Sequence, residues 1–243
     1  MGVIYSLDHV SYSYLKSVSA LANINLSVSK GEKLIVLGAN GCGKSTLLKL
    51  LNGLIFPTGG VIQAFGQVLN ESNLNANPYE FRKKVGFVFQ DSDTQLFCSS
   101  VFDEIAFAPL QMGLTLDNSI KRVHATLKDF DIEELKERPP YRLSGGEKKK
   151  VALAAVTVYN PEVLLLDEPT NSLDPRTKKW FLTRLDELNR NGTTIVIAVH
   201  DLGMAKNFAD RVIVMNEQHT IETIGKSEEI FADDQLLLDV NLI

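Results

Sequence analysis

Cysteine is scarce in this chain, and the two that it has, Cys42 and Cys98, lie far apart in the sequence. Their spacing matches neither a disulfide framework nor the paired cysteines of a zinc site. Together with the lack of a secretory leader, this scarcity favours a protein of the reducing cytosol. Cys42 has no second cysteine nearby in the sequence, and we interpret it as a small neighbour of other groups rather than a redox switch.

Long hydrophobic runs and an excess of basic residues are also lacking. The longest apolar runs, residues 151–158 and 194–199, fall far short of the roughly 20 residues that span a bilayer. A role at a membrane would therefore require a partner that holds the chain there. The net charge of −5 and the 23% of charged residues are ordinary for a globular protein and do not favour a polyanionic partner.

The organisation along the chain indicates one α/β domain, because 243 residues leave no room for a second domain of full size. Short apolar runs at residues 34–37, 163–166 and 194–199 are typical of parallel strands that are covered on both faces. Residues 91–158 carry apolar side chains at helical spacing instead. We predict a core of residues 1–90 and 159–224, an inserted helical subdomain of residues 91–158 and a C-terminal tail of residues 225–243 that docks on the core.

A glycine-rich segment joins the first of these strands to a predicted helix, and it fits the GxxxxGK[ST] pattern of phosphate loops. Glycines let backbone N–H groups converge on phosphates, while the helix N-terminus adds positive potential. Lys44 can reach the β and γ oxygens, and Ser45 offers a hydroxyl to Mg²⁺. A glycine turn that merely starts a helix would not explain both of these side chains. The predicted nucleotide-binding residues are Gly38, Ala39, Asn40, Gly41, Cys42, Gly43, Lys44, Ser45 and Thr46.

Two adjacent carboxylates, Asp167 and Glu168, end the strand predicted at residues 163–166. Adjacent side chains diverge at a strand end, so each can have its own role. Asp167 can hold Mg²⁺ directly or through water, and Glu168 can polarise the attacking water. A strand end that acidic residues cap at the solvent boundary is the structural alternative, and the phosphate loop favours the functional interpretation.

His200 directly follows the strand at residues 194–199, at the edge of the sheet where open α/β folds collect their ligands. A lone histidine is more often structural. The position of His200 makes it a reasonable contact of a γ-phosphate, whereas His9, His124 and His219 lack such a setting and are interpreted as structural.

A second glycine-rich helix start lies at residues 144–147, whose sequence is Ser-Gly-Gly-Glu. Ser144 and Glu147 fit a capping box, so both are explained by helix structure. The cap does not explain Gly145 and Gly146, which leave the helix N–H groups open to an anion. The three lysines that follow, residues 148–150, are typical of a solvated face, with at most a supporting electrostatic role.

The combination of these motifs, from Val3 to about Ile230, resembles the nucleotide-binding subunits of ATP-binding cassette (ABC) proteins. The resemblance implies an α/β fold with a P-loop NTPase core, a mostly parallel sheet, an N-terminal antiparallel β portion and an inserted α-helical subdomain. It makes residues 143–147 the signature motif and residues 172–174 the loop that crosses the dimer. It also implies individual roles: Lys44, Gln90, Glu168 and His200 in catalysis, Ser45, Gln90 and Asp167 at Mg²⁺, and Tyr14 stacked on adenine.

In this family two subunits sandwich two ATP molecules, each between one subunit's phosphate loop and the other's signature. The resemblance therefore implies that Ser144, Gly145, Gly146 and Glu147 contact the ATP of a second subunit. With one copy of each motif, the chain should pair with itself or with a close relative. Integral membrane transporter subunits are the further expected partners, at the cytoplasmic face of the membrane, and nucleic acid is not expected.

A narrower resemblance concerns the transported substrate. Residues 85–97 and 102–110 look like the ATPases of energy-coupling-factor importers, and residues 144–154 are closest to those that serve cobalt or nickel importers. A vitamin importer of the same class is the alternative, and a soluble ABC ATPase that acts on nucleic acid or ribosomes is a further one. The latter usually carries a coiled-coil insertion or a second cassette, which this chain lacks. Glu147 replaces the more common glutamine, which places a carboxylate near a triphosphate.

Overall fold

A computed structural model describes residues 2–15 and 18–243, and the strands within them form two sheets. The strands are β1 (Val3–Leu15), β2 (Val18–Ser29), β3 (Lys33–Gly38), β4 (Gly59–Ala64), β5 (Gln67–Val68), β6 (Val85–Val88), β7 (Val163–Asp167), β8 (Thr194–Val199), β9 (Arg211–Met215) and β10 (Ile221–Lys226). The α-helices are α1 (Lys44–Leu51), α2 (Glu71–Ala76), α3 (Pro78–Lys84), α4 (Val101–Gln111), α5 (Leu116–Asp129), α6 (Gly145–Thr157), α7 (Pro175–Arg190), α8 (Leu202–Phe208), α9 (Ser227–Ile230) and α10 (Asp234–Asp239). None of the helices within these residues is long and apolar enough to cross a membrane.

The larger sheet has the strand order β10-β9-β3-β8-β7-β6, and it is parallel except for β10 at one edge. The smaller sheet, of order β2-β1-β4-β5, is antiparallel. The predicted α/β class, with a mostly parallel sheet and an N-terminal antiparallel portion, is therefore confirmed.

Burial on both faces explains why the central strands are continuous apolar runs. In β8, Ile195, Ile197 and Val199 pack into a hydrophobic cluster with side chains of α4 to α7. The alternate residues Val196 and Ala198 pack into a second cluster on the other face, with α1 and the antiparallel sheet. Since each fully buried aliphatic side chain contributes about 1.5–3 kcal/mol, burial on both faces favours apolar residues at consecutive positions.

The carboxyl ends of four neighbouring strands lie at one edge of the larger sheet, and this edge positions the candidate site. Gly38 ends β3, Asp167 ends β7, and His200 follows β8. Gln90 lies two residues beyond the end of β6. Because parallel strands run in the same direction, residues that are distant in the sequence meet here.

The region between β6 and β7 is helical, as its spacing predicts. Val123 and Leu127 are fully buried on α5, and α4 packs against both α5 and α6. At the other end of the chain, Leu237 and Val240 of the tail are buried in the same cluster. The division at residues 91–158 and 225–243 remains our proposal for the domain boundaries.

Candidate nucleotide-binding site

The glycine-rich loop between β3 and α1 is packed so closely that two of its glycines have no substitute. A Cβ on Gly43, which has φ 112°, would lie 2.5 Å from the carbonyl oxygen of Ala20. A Cβ on Gly38 would lie 2.6 Å from Sγ of Cys42. Such distances are excluded for real side chains, so the loop holds its backbone close to its neighbours and keeps a compact turn at the start of α1.

Lys44 is buried in this turn, with its side chain folded back over the loop. Its Nζ donates to the carbonyl oxygens of Gly38, at 2.7 Å, and of Ala39, at 3.0 Å. The same ammonium lies 3.9 Å from a carboxylate oxygen of Glu168. The structure thus brings the predicted phosphate-binding lysine and the predicted base into one cluster.

Asp167 and Glu168 are both buried, and they have different surroundings. Burial raises the pKa of the Asp167 carboxyl, and the neighbouring Ser45 hydroxyl opposes the rise. Oδ1 of Asp167 is buried without a hydrogen-bond partner in the described part of the chain. A buried carboxylate oxygen that lacks a partner is costly unless something absent from the chain itself satisfies it.

Glu168 is held between Lys44 and His200. Its two carboxylate oxygens lie 2.9 and 2.8 Å from Nδ1 of His200, which must carry the proton to donate to a carboxylate. The backbone of Glu168 has a positive φ of 47°, which costs a residue with a side chain about 1 kcal/mol or more. Strain of this kind is found where the position of a side chain matters for function.

Many of the predicted site residues line one cavity of about 410 Å³, whereas Gly38, Ala39, Cys42, Asp167 and His200 are not among those that line it. Those that line it are Tyr14, Asn40, Gly41, Gly43, Lys44, Ser45, Thr46, Gln90 and Glu168. Tyr14 is half-exposed, and its hydroxyl lies 3.1 Å from Oγ1 of Thr46. An exposed ring fixed at the phosphate loop is suited to stacking on a base.

His219, which we interpreted as structural from the sequence, lies in the turn between β9 and β10 and lines the same cavity. Its backbone carbonyl accepts a hydrogen bond from the N–H of Ala22, at 2.9 Å. Nothing in the sequence around His219 indicates that it lies at this cavity. Its position there arises from a hydrogen bond between the turn and the distant strand β2.

The capping box at the start of α6 is present, as predicted. The N–H of Ser144 donates to Oε2 of Glu147 at 2.7 Å, and the N–H of Glu147 donates to Oγ of Ser144 at 3.3 Å.

The two glycines of the motif, Gly145 and Gly146, differ in the space around them. A Cβ on Gly145 would meet nothing within 4 Å, whereas a Cβ on Gly146 would lie 3.1 Å from Cγ2 of Thr177 on α7. Close packing against Thr177 is therefore one reason for a glycine at position 146, whereas position 145 is open.

The signature residues are not brought to the chain's own phosphate loop. Gly145 lines a second cavity, of about 580 Å³, together with Gln90, Lys149 and Ser172. Of the described residues that line the first cavity, none belongs to residues 144–147. If this motif contacts a nucleotide, the nucleotide belongs to another subunit.

The three lysines after the motif have separate partners, which corrects their interpretation as a solvated face. Lys149 is buried, and its Nζ donates to the carbonyl oxygens of Phe89 and Gln90. Lys148 pairs with Asp93, and Nζ of Lys150 lies 4.5 Å from the centre of the Trp180 ring.

The two cysteines are free, and burial raises the pKa of both thiols, to about 11 for Cys98. A raised pKa disfavours the reactive thiolate.

A pH-dependent contribution to stability is expected from Glu147. The backbone and side chain of Ser144 hold the pKa of this carboxyl below its usual value by hydrogen bonding. The charged cap should therefore stabilise the fold fully above the ordinary glutamate pKa and lose its effect as the pH falls through the lower, folded value. We expect Glu147→Gln to lower the free energy of unfolding by up to about 1 kcal/mol at pH 7, and less in acid, as measured by denaturant titration at several pH values.

Glu137→Gln is the control, because it removes one carboxylate whose side chain is 82% exposed. A difference between wild type and Glu147→Gln that stays constant through the acid range would show that the carboxylate does not carry the cap.

The fold and the cavity define a class: an α/β protein with a phosphate loop, paired carboxylates and a histidine at one sheet edge is a P-loop nucleotide-binding protein. The sequence model described as ABC transporter matches residues 21–171. A putative ABC transporter ATP-binding protein of Caldanaerobacter subterraneus is 60% identical over 243 residues, with all of both chains covered. The chain belongs to the ABC transporter ATP-binding family, whose members are ATPases coupled to transport.

More specifically named relatives cover nearly all of this chain. A nickel import ATP-binding protein of Rhodobacter capsulatus is 43% identical, over 98% of this chain and 95% of that protein. An energy-coupling factor transporter ATP-binding protein of Carboxydothermus hydrogenoformans is 40% identical, over 98% of this chain and 86% of that protein.

Solved structures show the same architecture. The CbiO1 protein of Clostridium perfringens, described as part of the ABC transporter complex CbiONQ, has a TM-score of 0.85 at 37% identity, over 100% of this chain and 96% of that one. A dimeric ATP-binding cassette in a post-hydrolysis state, bound to ADP and Pi, has a TM-score of 0.84 at 28% identity, over 92% of this chain and 99% of that one. The ABC ATPase fold predicted from the motifs is thus confirmed.

Proposed function

We propose that this chain is the ATP-hydrolysing subunit of a membrane importer that carries cobalt or nickel ions. The observation that carries the hydrolytic part is the cluster at the sheet edge, where Glu168 lies between Lys44 and His200. The importer part is supported by similarity to a nickel import protein and to the CbiO1 structure. The transported cation is a substrate of the whole complex and need not touch this subunit.

The residues at the phosphate loop fit Mg²⁺ as the companion of ATP. Asp167 supplies a buried carboxylate oxygen that has no other partner among the described residues, and Ser45 is its hydroxyl neighbour. Gln90, with its side-chain amide, and Ser45 both line the cavity at the phosphate loop. Oxygen donors of this kind are those that Mg²⁺ prefers, and when bound the ion would neutralise charge on the β and γ phosphates.

The same geometry supports a distinct role for each catalytic residue. Glu168 is the candidate for orienting and polarising water, since its buried carboxylate lies beside Lys44, the predicted phosphate-binding lysine. His200 donates Nδ1–H to Glu168, which fixes the carboxylate, and its Nε2 can donate to a phosphate oxygen when the ring carries a second proton. Lys44 would turn from the carbonyls of its own loop towards the phosphates, which are stronger acceptors.

A second subunit is needed to complete the site. Gly145 is open and lies outside the cavity of its own phosphate loop, and a relative of similar fold is described as dimeric with ADP and Pi. We propose that Ser144, Gly145, Gly146 and Glu147 of each subunit face the nucleotide of the other, and that the pair is a homodimer.

An aromatic surface on the helical region is the proposed contact with the membrane subunits. The rings of Phe97 and Phe107 stack edge to face at 5.0 Å and are exposed by 66% and 42%. Leu110 is exposed beside them on the same helix as Phe107. Phe102 packs into the core instead. Exposed apolar groups of this size mark an interaction surface, and binding there would hold the subunit at the cytoplasmic face of the membrane.

The principal alternative is a vitamin importer of the energy-coupling-factor class, and one relative is named as an energy-coupling factor transporter ATP-binding protein. The two alternatives share the whole ATPase subunit, so a test must measure the transported substrate. A nucleic-acid partner is not proposed, because the net charge of −5 opposes binding to a phosphate backbone.

Deleting the gene that encodes this chain should lower the uptake of radioactive cobalt or nickel by the cells. The reason is that closure of the ATPase pair would supply the work of transport. Initial uptake rates of each cation and of vitamins measure the result. Loss of vitamin uptake with normal uptake of both cations would replace the proposed substrate by the alternative one.

Complementation of the deleted strain tests the aromatic surface. Phe97→Ser should retain ATP hydrolysis in the purified protein and fail to restore uptake. Val61→Ser is the matched control, because Val61 is 43% exposed on the antiparallel sheet, and it should restore uptake.

A further inference from the structure

Lys149 is a buried ammonium with no carboxylate within ion-pair distance among the described residues. Its exposed fraction is 6%, and its Nζ donates instead to the carbonyl oxygens of Gln90, at 2.6 Å, and Phe89, at 3.2 Å. Burying a charged amine is unfavourable unless good acceptors surround it. A hydrophobic side chain of similar length would fill the same space without that cost, so packing does not explain the residue.

The two carbonyls belong to a stretch of main chain that has left the sheet. Strand β6 ends at Val88, and beyond it the backbone groups are satisfied by side chains. Besides the two bonds from Lys149, Oε1 of Gln95 accepts from the N–H of Phe89 at 3.0 Å. Side chains thus replace the ladder of hydrogen bonds where the sheet stops, and they fix the backbone conformation of Gln90.

Lys149 also belongs to the helix that begins with the open glycine. Gly145 is the first residue of α6, and Lys149 follows four residues later, on the same helix face. Gln90, Gly145 and Lys149 line one cavity. A movement of α6 is therefore transmitted through a short, doubly hydrogen-bonded side chain to the main chain at Gln90.

We propose that Lys149 is a positioning residue for ATP hydrolysis, which ties the main chain of Gln90 to the helix that carries Gly145. It touches neither the nucleotide nor the reacting atoms, and it acts through Gln90. The proposal rests on the proposed role of Gln90 in the site. If Lys149 has this role, the signature motif and the Gln90 side chain keep a constant relative position when the subunits close.

The test is a double-mutant cycle on the purified chain, with steady-state ATP hydrolysis as the readout. Lys149→Met should lower kcat about tenfold, because a displacement of about 1 Å in a catalytic group has effects of this order or larger. The KM for ATP should change less than about twofold. In the Gln90→Ala background, Lys149→Met should have little further effect. Lys149→Arg, which keeps the charge and the donors, should recover most of the lost kcat.

Lys150→Met is the matched control, because it removes the same charge from the next residue, whose ammonium lies above Trp180. Thermal unfolding of every variant shows whether a lower kcat comes from loss of the fold or, in a folded variant, from displacement of Gln90. Should Lys149→Met not fold, Lys149→Gln carries the same cycle, since its shorter amide can still satisfy one carbonyl.

Two results would overturn the proposal. One is that the effects of Lys149→Met and Gln90→Ala multiply as independent changes. The other is that Lys150→Met lowers kcat as much as Lys149→Met. Failure of the proposed role of Gln90 would look different, because Gln90→Ala by itself would then leave kcat unchanged.

Discussion

Replacing Glu168 with glutamine should lower the rate of ATP hydrolysis by roughly 10²–10⁴, the range typical of losing a general base, and should leave ATP binding intact. The amide keeps the size of the side chain and its contact with His200, but it cannot accept a proton from water. Because hydrolysis would no longer separate the subunits, ATP should also drive the variant into a dimer. Phosphate release and light scattering with and without ATP measure the two effects.

Glu187→Gln is the control, since Glu187 is an exposed carboxylate on α7 that pairs with Arg184. Unchanged turnover in Glu168→Gln would remove Glu168 from the role of base. A strictly monomeric complex of that variant with ATP would contradict the proposed sandwich.

Mixing two inactive variants should restore activity if each site is shared between subunits. Lys44→Ala disables a subunit's own phosphate loop, and Gly145→Asp places a carboxylate against the nucleotide of its partner. Each alone should be reduced at least about 100-fold. In an equal mixture about half of the dimers combine the two variants, and each such dimer keeps one intact site. The mixture should therefore reach about a quarter of the wild-type rate.

The structure supplies a strict control for this experiment. Lys44 and Glu168 lie 3.9 Å apart in the same chain, so they serve the same site. A mixture of Lys44→Ala with Glu168→Gln should then remain inactive, because both sites of the mixed dimer are damaged. Recovery in both mixtures, or in neither, would exclude the exchange of signature motifs between subunits.

The phosphate loop shows how much of the site could be predicted from the sequence. Its residue types are required by local geometry, so the pattern and the surrounding strand and helix were all predictable. The same holds for the capping box of Ser144 and Glu147, which depends on contacts three residues apart. Such features need no knowledge of the rest of the chain.

Other features depend on distant contacts, which a local pattern does not reveal. Gly146, which the sequence predicts at an anion site, also lies where a Cβ would meet Thr177 of another helix. Lys149 was placed on a solvated face, yet it is buried against the main chain of Gln90. His219, which the sequence indicates to be structural, lines the cavity at the phosphate loop. In each case the partner comes from a part of the chain that no local pattern connects to the residue.

The sequence by itself determined the chemistry of this protein: a phosphate loop, two carboxylates and a histidine at strand ends, and a capped, glycine-rich helix start. It could do so because residue type and short spacing dictate backbone conformation and donor sets. Only the tertiary structure decided which of these groups meet. The parallel sheet joins Lys44, Glu168 and His200 at one edge, whereas the helical packing leaves Gly145 open and away from them. That separation is a property of how the elements pack, and it makes a second subunit part of the proposed site.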